Sequence, residues 1–231
     1  MNQQFEAYRF GGISSIERNK VLRNTYFLLA LSLVPTILGT WLGVAIPALG
    51  AMFRGGLGAL LFMGIAFGFF YGIERTKHSS AGVYMLLGFT FFMGIALSGL
   101  IRYALGVANG AQMIMLAGGG TSLIFFGLAS YATVSKKDFT NMGKALFIGA
   151  VMLMVASIAN IFLAIPALHL TICVIALGLF SAFLLYDLSR IINGGETNYI
   201  SATLSLYLSI YNIFTSLLQL LLAFGGGSSK D

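Results

Sequence analysis

Apolar residues fall into seven long blocks along the chain, separated by short polar breaks. The blocks run over 26–46, 56–73, 82–101, 111–133, 145–164, 167–189 and 203–224. Each approaches or exceeds the roughly 20 mostly apolar residues that a helix needs to cross the hydrocarbon core. None alternates with a period of two, and open sheet edges are not tolerated in lipid, so strands are not expected. The pattern therefore predicts an all-α membrane protein with seven transmembrane helices. Breakers agree with the block edges. Pro47 closes the first helix, Pro166 separates the fifth from the sixth, and Asn193-Gly194-Gly195 ends the sixth with a glycine stop. Pro35 lies inside the first block and predicts a kink there. That block follows 24 mostly polar residues and is longer than the roughly 7–15 residues of a secretory signal, so it reads as a retained helix.

Composition removes the soluble alternative. Of 231 residues, 58% are hydrophobic and 9% charged, against about 25% charged in soluble domains. A soluble core of this size would leave too much apolar surface in water, whereas lipid solvates outward-facing apolar side chains. The net charge of +6 is spread over short loops, which argues against a nucleic-acid surface and makes it a report on topology. Arg9, Arg18, Lys20, Arg23, Arg75, Lys77, Lys136, Lys137, Lys144 and Arg190 give ten cations on one side; Arg54, Arg102 and Lys230 give three on the other. The positive-inside rule then places the N-terminus in the cytoplasm and the C-terminus across the membrane. The expected organisation is a polar N-terminal segment (1–24), a transmembrane domain (25–224) and a flexible glycine-rich tail (225–231).

Few residues carry candidate chemistry. Gly64, Gly68 and Gly72 recur every four residues and predict a helix-packing stripe in the second helix. Ser201, Ser205, Ser209, Asn212, Ser216 and Gln219 fall on one face of the seventh. Lipid cannot satisfy that face, so it looks inward, either as interhelical hydrogen bonding or as the lining of a polar cavity or ion path. Asp187 is the one acid embedded in a predicted span, a position that favours a functional role. Arg190 follows at i+3, so Asp187 reads either as half of a helix-end ion pair or as a titratable gate. Asn160 reads as interhelical hydrogen bonding. Cys173 sits in an apolar run and reads as a buried small hydrophobe. His78 and His169 lie far apart, without a Cys or acidic cluster around them, and make no metal signature. There is no P-loop, G-x-S-x-G or H-E-x-x-H motif, so neither enzymatic activity nor a cofactor is expected.

Two blocks carry a resemblance. Tyr186-Asp187-Leu188-Ser189-Arg190-Ile191-Ile192-Asn193-Gly194-Gly195-Glu196-Thr197-Asn198-Tyr199-Ile200, with Ser205-Leu206-Tyr207-Leu208 and Tyr211-Asn212-Ile213-Phe214, is similar to the last two helices of the Bax inhibitor (TMBIM) family, in its bacterial YccA-like branch. Lys20-Val21-Leu22-Arg23-Asn24-Thr25-Tyr26-Phe27-Leu28-Leu29 resembles the start of that family's first helix. The resemblance implies a central seventh helix within a ring of six, in the inner membrane of a bacterium. It implies two functions: modulation of the FtsH membrane protease, of which the protein would also be a substrate, or a proton-sensitive leak for Ca2+ or other cations. Leak-type relatives pair an aspartate at the end of helix six with one in helix seven. Asp187 matches the first, but the second position holds Ser209. A carboxyl pair sharing one proton therefore cannot form there, although Ser209 could hydrogen-bond Asp187.

Overall fold

The computed structural model describes residues 15–135 and 137–225. Seven long helices account for most of them: α1 (Ser15–Ala45), α2 (Gly55–Thr76), α3 (Ser80–Leu105), α4 (Gly110–Val134), α5 (Gly143–Leu163), α6 (Pro166–Ile192) and α7 (Tyr199–Gly225). A one-turn helix, Pro47–Ala51, follows α1, and a 3-10 turn, Thr140–Met142, precedes α5. All seven long helices are long and apolar enough to cross a bilayer. Arg9, Lys136 and Lys230, the first fourteen residues and the tail after Gly225 lie outside the described residues.

The breakers act where the chain chemistry requires. Pro47 and Pro166 each occupy the first turn of the helix they open, where the missing N–H has no intrahelical partner to lose. Gly194, at φ 78°, turns the chain after α6. Ala164 adopts a left-handed conformation (φ 50°) after α5, and the Asn160 side-chain oxygen accepts from Ile165 N–H at 3.1 Å. Asn160 is thus a local cap. In the loop before α5, Asp138 accepts from Thr140 N–H at 2.9 Å, and hydrogen bonds from Thr140 hold its carboxyl below the usual 3.8.

Helix α1 is already formed at Ser15, within the polar segment expected over 1–24, and carries exposed Glu17, Arg18, Asn19 and Lys20 ahead of its apolar stretch. Hydropathy marks only the part of a helix that lies in hydrocarbon, while helical hydrogen bonding continues into the headgroup region. The helix also runs unbroken through Pro35.

The tightest packing joins α1 to α3. A Cβ on Gly39 would lie 2.2 Å from the Phe91 carbonyl oxygen, and one on Gly94 would lie 2.1 Å from that of Thr36. Gly43 abuts Ser98, and Thr40 Oγ1 shares its proton between the Thr36 carbonyl at 2.8 Å and, across the seam, the Gly94 carbonyl at 3.0 Å. These small residues let two backbones touch. The stripe in α2 does no such work. Gly64 and Gly68 are exposed and have nothing within 4 Å of a built Cβ, while Gly72 meets only the Met85 side chain. The helix-packing role expected for the stripe is therefore corrected at Gly64 and Gly68; only Gly72 packs on another helix, through the Met85 side chain of α3, and no second backbone reaches the stripe among the described residues.

Helix α7 is the centre of the bundle. It packs against α1, α3, α4 and α6 and touches α2, whereas α5 reaches the bundle mainly through α6. Its core residues Ile200, Leu206, Ile213 and Leu218 are fully buried. Exposed Phe27, Trp41, Leu57, Phe126, Phe147 and Phe162 belong to outward faces, as expected where lipid is the solvent.

Candidate functional site

Polar groups converge on α7 at three levels. The first is the hairpin that joins it to α6. After Gly194, the N–H groups of Gly195 and Glu196 both donate to the Arg190 carbonyl, at 2.8 and 3.2 Å. This turn carries the Glu196 side chain back onto Arg190, forming a salt bridge of 3.1 Å. Glu196 also accepts from Thr197 and Asn198 N–H. Asn198 then caps α7, accepting from Ile200 and Ser201 N–H and donating to the Lys77 carbonyl at 2.8 Å. The Arg190 guanidinium lies 5.5 Å from the centre of the Tyr186 ring, within cation–π range.

This arrangement bears on the ion pair with Arg190, one of the two readings of Asp187. Arg190 makes its salt bridge to Glu196, and no hydrogen bond joins Asp187 to Arg190 or Ser209 among the described residues. Asp187 is 7% exposed, five residues before the C-terminal end of α6. Helical periodicity points to Arg190 because i+3 neighbours share a face. The competing partner arrives through a glycine turn, which periodicity does not describe.

The second level is a buried tyrosine cluster. Tyr207 Oη lies 2.9 Å from Thr36 Oγ1 and 3.5 Å from the Thr90 carbonyl. Thr36 donates its only proton to the Ser32 carbonyl, so Tyr207 is the donor in the shorter contact. Tyr211 Oη donates to the Met93 carbonyl at 3.3 Å. Both tyrosines were visible in the sequence only as parts of the resemblance, because an aromatic ring gives no sign of where its hydroxyl goes.

The third level is a cavity of about 410 Å³ between α5, α6 and α7. It lies toward the opposite membrane face from Asp187. Asn212, Ser216 and Gln219 of the polar stripe line it, with Ser157, Asn160, His169 and Cys173 facing them. Ser205 and Ser209 are not among its lining residues; Ser209 is buried and Ser205 half-buried. The stripe therefore divides into a packed N-terminal half of α7 and a cavity-lining C-terminal half. Cys173 is buried as expected, and its sulfur lies 3.8 Å from His169 Nε2. The spacing His169-x-x-x-Cys173, one helical turn, was the signal in the sequence that could have found it.

Comparison with known proteins decides the family. A family model described as "Inhibitor of apoptosis-promoting Bax1" matches residues 18–226. The chain belongs to the Bax inhibitor family. Within that family it is 41% identical over 210 residues to an uncharacterized membrane protein of Vibrio cholerae, covering 90% of this chain and 91% of the relative. It is 37% identical over 218 residues to the Escherichia coli K12 protein described as "Modulator of FtsH protease YccA", covering 94% of each chain. The same identity and coverage hold for an E. coli O6:H1 protein described as an inner membrane protein. This Bax inhibitor family member is a multi-pass membrane protein, and its seven helices surround and include the polar levels described above.

Proposed function

We propose that this chain is a non-enzymatic, multi-pass protein of the bacterial inner membrane that modulates an FtsH-type protease in membrane-protein quality control, and is also a substrate of that protease. The observation that carries this reading is the similarity to the E. coli modulator of FtsH, which spans nearly the whole of both chains. The charge asymmetry supports it, because it puts the N-terminus on the cytoplasmic side. The polar N-terminal segment, residues 1–24, is the proposed handle, because it is short and precedes the first apolar block. The test is a deletion of residues 2–18, ahead of the apolar part of α1. The deletion is expected to lengthen the half-life of the chain in cells and to weaken its co-purification with the protease. Unchanged turnover together with unchanged co-purification would sink the handle.

One observation favours a second reading, a proton-sensitive cation leak. Asp187 is buried at the cytoplasmic end of a central hairpin without a hydrogen bond or salt bridge among the described residues. An acid so placed in a membrane protein is a default candidate for an ion pathway. On this reading, purified protein in liposomes passes Ca2+ above the level of empty vesicles, and Asp187→Asn removes the pH dependence of that flux. Wild-type flux equal to that of empty vesicles on both sides of neutral pH would exclude the leak.

A further inference from the structure

The outer cavity brings together groups that neither reading of the function uses. His169 is exposed at the start of α6, and Cys173 lies one turn deeper, 3% exposed. Their donor atoms, Nε2 and Sγ, are 3.8 Å apart. A tetrahedral zinc with a Zn–S bond near 2.3 Å and a Zn–N bond near 2.05 Å spaces such donors about 3.6 Å apart. A small side-chain adjustment therefore converts the contact into a chelate. Helical geometry sets up the pair, since residues at i and i+4 stand on the same face.

The facing wall suits a cation too. Asn212 Nδ2 donates to the Leu208 carbonyl at 2.8 Å, and Gln219 Nε2 donates to the Thr215 carbonyl at 3.0 Å. A carbonyl oxygen can only be met by the NH2 end of an amide, so both orientations are fixed. Both side chains line the cavity, and both keep their carbonyl oxygens as acceptors. Ser157 likewise donates its proton to the Leu153 carbonyl, leaving lone pairs on its oxygen. The cavity thus combines one thiol, one imidazole and several neutral oxygen acceptors, with no lysine, arginine or carboxylate in its lining. Imidazole and thiolate together select borderline-to-soft metals over Mg2+ or Ca2+. We propose that His169 and Cys173 form a two-residue chelate for a thiophilic divalent cation of the Zn2+ and Cd2+ class, at the outer mouth of the α5–α6–α7 cavity, with water completing its coordination.

Cys173 is the sole cysteine of the chain, so any thiolate–metal signal reports this position. The test is a titration of the full-length protein in nanodiscs with Cd2+, followed by the ultraviolet sulfur-to-cadmium charge-transfer absorption. One equivalent is expected to bind. Cys173→Ser is expected to remove the absorption, and His169→Ala to weaken binding by about tenfold or more. Because His169 is exposed, its variant keeps the fold even if the cysteine variant does not. A second readout is maleimide labelling of Cys173, which Cd2+ should slow in the wild type and slow far less in His169→Ala. An absent charge-transfer band in the wild type, or equal Cd2+ affinity in wild type and His169→Ala, overturns the chelate.

Discussion

Gly94→Val is expected to destroy the stability of the bundle. The new Cβ would stand 2.1 Å from the Thr36 carbonyl oxygen and 2.9 Å from Thr40 N. Those atoms are backbone in the middle of α1 and cannot rotate away as a side-chain tip can. The helices must part by more than about 1 Å to restore ordinary contact distances, and contacts along the whole seam weaken with them. Overpacking in a tight core costs about 1–3 kcal/mol and sometimes more, and a backbone-to-backbone clash belongs at the upper end. Thermal unfolding in mild detergent should show a large drop in apparent Tm or loss of the monodisperse protein. Gly64→Ala and Gly68→Ala are the controls, because a Cβ at either meets nothing within 4 Å. They should leave stability unchanged or raise it by up to about 1 kcal/mol through helix propensity. A Gly94→Val protein as stable as the controls would show that the α1–α3 seam is not the packing centre.

The second large effect is expected at Tyr207. Its side chain is 1% exposed and packs edge-on against Phe89, with ring centres 6.2 Å apart. Tyr207→Ala leaves a ring-sized void among α1, α3 and α7, and truncations of buried aromatics cost about 3–5 kcal/mol. Tyr207→Phe keeps the ring and removes only the hydroxyl that meets Thr36 at 2.9 Å. Interhelical hydrogen bonds in membranes average about 0.6 kcal/mol and reach about 1.7. The alanine variant should therefore be several times more destabilised than the phenylalanine variant in the same denaturation assay. If the two losses are equal, the hydroxyl network rather than the packing of the ring holds the bundle centre.

How far the sequence reveals this structure depends on which force decides each feature. The seven spans are legible because the bilayer imposes length and hydropathy on each one separately. The ends at Pro47, Pro166 and Gly194 are legible because backbone chemistry acts locally. The packing seam is not. Gly39 and Gly43 share the four-residue spacing of Gly64 and Gly68, as do Gly94 and Ser98. In lipid a small-residue stripe can face either a helix or an acyl chain, so the pattern proposes several seams and leaves the choice to the tertiary fold. The Asp187 surroundings fail for a related reason. An i+3 arginine is visible in the sequence, but the turn at Gly194 brings in Glu196, whose claim on Arg190 is decided in three dimensions. Even His169 and Cys173, one turn apart, gain meaning only from the cavity that they border.

The α1–α3 seam also determines how this protein would respond to force. Any machine that grips the chain ahead of Ser15 and draws it toward the cytoplasm loads α1 along its axis. Interlocked backbones resist sliding in shear far better than they resist being peeled apart, because every contact along the seam must slip at once. Gly39, Gly43, Thr40 and Gly94 are then the teeth of a ratchet. The first stroke must shear this joint before α2 or any later helix feels the pull. The segment nearest the grip is thus tied to the most tightly packed joint in the bundle, so extraction from this end begins at its hardest step.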